Sequence, residues 1–318
     1  MRYVDLGNTG LRVSEVAFGG VEIGLPYGIG VRSEADMLQE REAVNLLSRS
    51  LEEGINFFDT ARMYGESERL MGIAFASKRD QVVISSKCRH FRDQKGQLPE
   101  SGELTQIIHR SVEESLLALR TDYLDLFMLH QADEEILQRE EIIGAFLALK
   151  QSGKVRSIGA STYTVAESTV AVESGIWQVV QLPFNLLDQR QATVFDGAAN
   201  RGVGLVIRSV LLKGLLSERG KNLPLPLERV EEHIQKLADL AGTMNIDLTT
   251  LAIRFALSFE AVSSVLVGID RESYLLHAIE AARNPHLDEN VFDTVKRLAF
   301  PDPEFIDLPH WDRMGWLT

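Results

Sequence analysis

Eight short apolar runs alternate with eight segments of helical spacing along 318 residues, and no proline- or serine-rich linker interrupts them. Such alternation implies a parallel sheet with helical crossovers. Eight repeats favour closure, which leaves no unpaired strand edge. The predicted fold is therefore α/β, a (β/α)8 TIM barrel. It forms one domain over residues 1–318 with an N-terminal β-hairpin and a C-terminal tail.

Residues 3–6 and 11–13 flank Gly7-Asn8-Thr9-Gly10, a turn composition that makes the hairpin. The barrel strands are expected at 16–18, 56–59, 82–87, 123–129, 157–161, 179–182, 205–209 and 264–267. Helices are expected at 43–51, 68–76, 103–119, 141–151, 165–173, 189–201, the pair 230–244 and 249–259, and 274–282. Residues 25–36 read as irregular. Within them, Gly28-Ile29-Gly30 starts like a dinucleotide-binding loop. Ser33 occupies the third glycine position and no strand precedes the segment, so it reads as a flexible loop.

The net charge of −13 argues against a nucleic-acid partner, which needs clustered Lys and Arg. One cysteine, Cys88, excludes an intramolecular disulfide and a cysteine-based zinc cage. No phosphate loop and no His-Glu-x-x-His helix is present, so metal chemistry is not expected. No window approaches the roughly 20 apolar residues of a membrane span, and the N-terminus does not resemble a signal peptide. A soluble cytoplasmic protein is expected.

Ionisable residues stand at three strand ends: Asp59, Lys87 and His130. Tyr64 follows Asp59 by five residues. In a parallel barrel the carboxyl ends of the strands share one face, so these four residues converge. A carbonyl that accepts hydride needs a proton, and a phenol can donate it. A neighbouring ammonium favours the phenolate, by on the order of 4 kcal/mol at about 4 Å and an effective dielectric near 20. Lys87 can supply that charge, Asp59 can hold Lys87 protonated, and His130 can donate to the carbonyl oxygen.

The chain resembles the aldo-keto reductases from the hairpin to about residue 283. The likeness rests on Leu6-Gly7-Asn8-Thr9-Gly10-Leu11-Arg12-Val13-Ser14, on Gly54-Ile55-Asn56-Phe57-Phe58-Asp59-Thr60-Ala61 with Tyr64-Gly65-Glu66-Ser67-Glu68 and Gly72, and on Ser86-Lys87 and Leu129-His130. The resemblance implies reversible hydride transfer from a reduced nicotinamide to an aldehyde or ketone, with Tyr64 as general acid. Some family members serve as channel-associated subunits, so the alternative is a nicotinamide-binding regulatory subunit.

The resemblance also implies a cofactor site. Gly159-Ala160-Ser161-Thr162-Tyr163 is similar to the segment that meets the nicotinamide amide, with Thr162 in place of the usual Asn; Gln181 matches the other amide position. Arg208, Ser209, Leu211, Lys213 and Gly214 lie in the pyrophosphate-loop segment, with Arg208 where the family places an aromatic ring. Gly19 and Gly20 end the first barrel strand, and Gly268, Asp270 and Tyr274 occupy the ribose-phosphate stretch. Asp270 repels a 2′-phosphate yet accepts from free ribose hydroxyls. NAD(P)H is therefore expected, with NADH or dual use favoured over strict NADPH. The substrate is expected to be a small carbonyl compound, such as a sugar or hydroxyaldehyde, with Arg89 and Trp311 of the aromatic tail as contacts. Self-association is compatible with that tail.

Overall fold

The computed structural model describes residues 1–31, 33–284 and 286–317. Strands β1 (Tyr3–Asp5) and β2 (Arg12–Ser14) pair antiparallel as the hairpin. Eight more strands follow: β3 (Val16–Gly19), β4 (Phe57–Asp59), β5 (Val83–Lys87), β6 (Leu124–Leu129), β7 (Val155–Ser161), β8 (Val179–Pro183), β9 (Gly204–Arg208) and β10 (Val262–Gly268). They lie side by side in chain order, all parallel, and β10 pairs with β3 to close the barrel. This is the predicted (β/α)8 TIM barrel with its N-terminal hairpin.

The strands carry apolar residues on both faces because both faces are covered. Outward side chains pack against the helices. Inward ones, including Phe57, Val83, Leu126, Met128, Val179 and Val206, form a separate cluster. Leu6 and Val13 of the hairpin join that inner cluster and are fully buried. The hairpin thus covers the amino end of the barrel. Its close seat needs glycine, since a Cβ on Gly7 would lie 2.3 Å from Gly204 N.

Helices Glu103–Leu119 and Val165–Glu173 fall at the expected residues. The second starts where Thr164 and Glu167 form a capping box. Gln39 and Glu42 form another, so helix Glu40–Glu52 starts earlier than its apolar period implies. The segment 189–201 divides into a 3-10 turn, Arg190–Val194, and a helix, Phe195–Arg201. Strand β9 stops at Arg208 because Ser209 adopts a left-handed φ of 58° and leaves the ladder. Helices Val21–Gly24, Glu134–Gln138, Glu289–Arg297 and Leu308–Arg313 were not expected. Three of them are too short to show a 3.6-residue period; Glu289–Arg297 does carry one, with Val291, Phe292 and Val295 packed on the core, and its signal was overlooked.

Candidate active site

Strand alternation decides which residues reach the open carboxyl end, since every second residue of a barrel strand points inward. One inward step past Phe57, Met128, Val179 and Val206 stand Asp59, His130, Gln181 and Arg208. Two inward steps past Val83 stands Lys87. Past Ala17 and Leu266 stand Gly19 and Gly268, which bring no side chain of their own; the Glu22 carboxylate lies against Gly268, where a Cβ would be 2.0 Å from its Oε1. A cavity of about 320 Å³ opens there, and Gly19, Gly20, Asp59, Tyr64, His130 and Ser161 all line it.

Tyr64 enters from the loop after β4. Its N–H donates to Ala61 O at 3.0 Å, and its carbonyl accepts from Ser67 N at 3.0 Å, where helix Ser67–Ala74 begins. The loop lies hard against the turn Val21–Gly24. A Cβ on Gly24 would sit 1.9 Å from Tyr64 O, and one on Gly65 would sit 2.2 Å from Gly24 O. Gly65 also has a φ of 49°, a region that disfavours side chains. The two glycines thereby set the phenol's point of entry. Gly65 lay within the recognised run of residues; Gly24 did not.

Lys87 is fully buried, and its Nζ donates to Asp59 Oδ2 at 2.5 Å and to Thr60 O at 3.0 Å. Gln181 Nε2 donates to the other Asp59 oxygen at 3.0 Å, so both carboxylate oxygens are held. Burial lowers the Lys87 pKa, and the Asp59 charge opposes that shift. The ammonium lies 4.8 Å from the centroid of the Tyr64 ring. The expected acidification of the phenol does not follow from this geometry. Burial first, and the Asp59 charge second, raise the Tyr64 pKa. Asp59 offsets the field of its close partner Lys87, and desolvation dominates. Tyr64 therefore keeps its proton at neutral pH.

The His130 ring meets Tyr64 edge-on, with centroids 5.3 Å apart. Burial, then the charge of Lys87, holds the His130 pKa well below its ordinary value, so the imidazole is neutral. A protonated phenol and a neutral imidazole at one wall can both donate to a single oxygen.

Gln181, Arg208, Ser209, Leu211, Lys213 and Gly214 line the same cavity, as do Gly268, Asp270 and Tyr274. Ser209, Leu212 and Lys213 have φ values of 58°, 47° and 59°, which fold their loop back over the mouth. Arg208 donates to Thr162 O at 2.8 Å and to Ser209 Oγ at 3.3 Å, and its guanidinium lies 4.3 Å above the Tyr163 ring. Asp270 accepts from Arg271 at 3.0 Å and Arg219 at 3.1 Å. Burial alone would raise its pKa, but these two guanidinium groups hold it below the ordinary carboxylate value.

Three expected contacts lie elsewhere. Thr162 is fully buried, and its hydroxyl meets Ser168 Oγ at 2.7 Å; only its carbonyl serves the site, as the acceptor for Arg208. Arg89 turns onto helix Glu103–Leu119, where it pairs with Glu114 at 2.8 Å. Trp311 is fully buried beside Phe305, so this ring of the tail packs against the protein rather than facing the cavity. Its neighbour Asp312 instead reaches the rim and pairs with Lys213.

Glu22, Tyr27, Tyr163 and Arg219 line the cavity without having been assigned to it from sequence. Tyr27 and Arg219 sit in aperiodic loops that carry no signal. Glu22 stands two residues after Gly20, and that proximity was the available clue. Burial raises its pKa to about 8. Three buried atoms of lining residues, Glu22 Oε2, His130 Nδ1 and Tyr274 Oη, have no hydrogen-bond partner. Carboxylates, cations and a primary amide make a set of acceptors and donors that fits a nicotinamide dinucleotide. Asp270 and Glu22 could meet ribose hydroxyls, Arg208, Lys213 and Arg219 the phosphates, and Ser161 and Gln181 the carboxamide. Among the described residues, no cluster of His, Cys, Asp and Glu could hold a metal ion, and no helix is long and apolar enough to cross a membrane.

Comparison with known proteins agrees with this geometry. The chain is 28% identical over 312 residues to L-galactose dehydrogenase of Arabidopsis thaliana, a match covering 93% of each chain. It is 26% identical to L-glyceraldehyde 3-phosphate reductase of Escherichia coli O157:H7, covering 89% of this chain and 88% of that one. The holo form of the aldo-keto reductase AKR11C1 from Bacillus halodurans superposes with a TM-score of 0.79 at 25% identity, over 94% of this chain and 96% of the other. A family model, described as the aldo/keto reductase family, matches residues 16–299. With that match spanning every strand of the barrel, the chain belongs to the aldo/keto reductase family.

Proposed function

We propose that this chain, acting as one barrel domain, reduces an aldehyde or ketone to an alcohol at the expense of a nicotinamide cofactor, with Tyr64 as general acid. The observation that carries this reading is the convergence on one cavity of a Tyr64 phenol that retains its proton, a neutral His130 and Asp59, whose partner Lys87 is buried behind it. The bound cofactor supplies hydride to the carbonyl carbon. His130 donates a hydrogen bond to the carbonyl oxygen and fixes its approach. As negative charge develops there, Tyr64 gives up its proton, because an alkoxide is a stronger base than a phenolate. The nearby ammonium of Lys87 stabilises the phenolate left behind. The same steps reversed oxidise an alcohol.

Asp270, held ionised, favours free ribose hydroxyls over a 2′-phosphate, so NADH, or dual use of both cofactors, is the reading taken. Arg208 adds a cation to the cavity and disfavours an oxidised, positively charged ring beside it. For substrate, the names of the plant dehydrogenase and the bacterial reductase both point to hydroxylated carbonyl compounds, a sugar in one and a hydroxyaldehyde phosphate in the other. A sugar or hydroxyaldehyde is therefore proposed.

The test is oxidation of NADH and NADPH by the purified chain across a panel of aldoses, hydroxyaldehydes and simple aldehydes. Turnover with at least one of them is expected. Cofactor binding without turnover of any substrate would overturn the reductase reading in favour of a nicotinamide-binding subunit.

A further inference from the structure

His130 has one ring nitrogen at the cavity side and one turned into the protein. The inner one, Nδ1, is buried and has no hydrogen-bond partner. A neutral imidazole carries a single N–H. If Nε2 is to donate into the cavity, Nδ1 must be the bare acceptor, and an acceptor with no partner does not hold a tautomer. The nitrogen that carries the proton is set by the hydrogen bond made at the other.

His90 stands against this ring, with centroids 4.6 Å apart and planes at 70°. It is half-buried, and its Nε2 is also buried without a partner. Its segment is anchored next door, where the Arg89 N–H donates to Ser111 Oγ at 3.2 Å. Two adjacent imidazoles, each with an orphaned nitrogen, answer each other's deficit. The two nitrogens are not hydrogen-bonded to each other in this structure, and a small shift of the His90 side chain together with a turn of its ring would be needed to close that bond.

We propose that His90 is a positioning residue for His130: its Nε2–H donates to His130 Nδ1 and so keeps the His130 proton on Nε2, facing the cavity. The use made of that proton rests on the carbonyl-reduction reading; the tautomer itself does not. Burial lowers the pKa of His90, which keeps it a neutral partner.

The experiment is nitrogen-15 NMR of the full chain labelled at histidine, without cofactor, in wild type, His90→Phe and His90→Gln. Wild type is expected to show His130 with a protonated Nε2 and a bare Nδ1. His90→Phe should give a mixture of tautomers, and His90→Gln, whose amide can reach the same nitrogen, should restore the single form. Alongside this, kcat/KM should fall about tenfold or more in His90→Phe, given what a wrong tautomer costs, with cofactor Kd unchanged. A wild-type His130 protonated at Nδ1, or His130 shifts that do not move in His90→Phe, would overturn the proposal. If His90→Phe does not fold, the wild-type and His90→Gln spectra decide. If no carbonyl is reduced, the spectra still stand and only the reductase reading fails.

Discussion

Lys87 Nζ lies 2.5 Å from Asp59 Oδ2, and neither residue has appreciable contact with solvent. This pair governs the electrostatics of the site. Burial keeps the phenol beside it protonated, and the Asp59 charge adds to that effect. In the proposed reaction the negative charge brought by hydride passes from the substrate oxygen to the phenol as the proton moves the other way, and the ammonium stands beside the phenol where that charge ends.

Asp59→Asn leaves a buried ammonium without its counter-charge. The loss of stability should be about 3–5 kcal/mol, read from urea unfolding, and reduction should fall with it. A variant within about 1 kcal/mol of wild type would show that Lys87 is held by something other than this carboxylate.

Asp270→Ser should improve NADPH binding about tenfold or more and weaken NADH binding, because it removes from the ribose end of the cavity a charge that repels a 2′-phosphate and accepts from free ribose hydroxyls. Dissociation constants from quenching of protein fluorescence measure both. A wild-type preference for NADPH of about a hundredfold would contradict the role given to Asp270.

Glu22 makes the site sensitive to pH. Its pKa is about 8 in the folded protein against 4.5 ordinarily. Between those values the folded state binds the proton and the unfolded state does not, so this group's contribution to stability falls as pH rises through that window. Glu22→Gln removes the titration. The variant should gain in Tm relative to wild type on going from about pH 5 to about pH 9. An equal difference at both pH values would mean that Glu22 is ionised in the folded protein throughout.

Trp311→Ala separates packing from substrate contact. The ring is buried outside the cavity, so the change should cost about 3–5 kcal/mol of stability and leave KM unchanged for whichever substrate is reduced. A selective rise in KM with unaltered stability would return the tail to the substrate site.

Much of the fold was legible because parallel strands and their helices write two different periods into the chain. The same alternation made the top layer readable: Asp59, Lys87 and His130 could be set on one face from their positions at strand ends. Burial was not readable. The sign of the Tyr64 shift depends on how far the phenol is removed from water and on Asp59 lying close to Lys87, and neither distance is written in spacing. Loops were the second gap. Tyr27 and Arg219 reach the cavity from segments without periodicity, and Gly24 matters only because the chain returns to touch it at Tyr64 and Gly65. Arg89 misled because a charged side chain just past a strand end can turn either way, and Trp311 because a ring on the terminal helix Leu308–Arg313 can pack inward as readily as face the cavity.

Single-turnover reduction by Tyr64→Phe, with the cofactor Kd measured on the same sample, bears most directly on the chemistry. The rate of carbonyl reduction should fall by about a thousandfold, while cofactor affinity stays within about twofold. Reduction retained within about tenfold of wild type would show that the proton comes from another group.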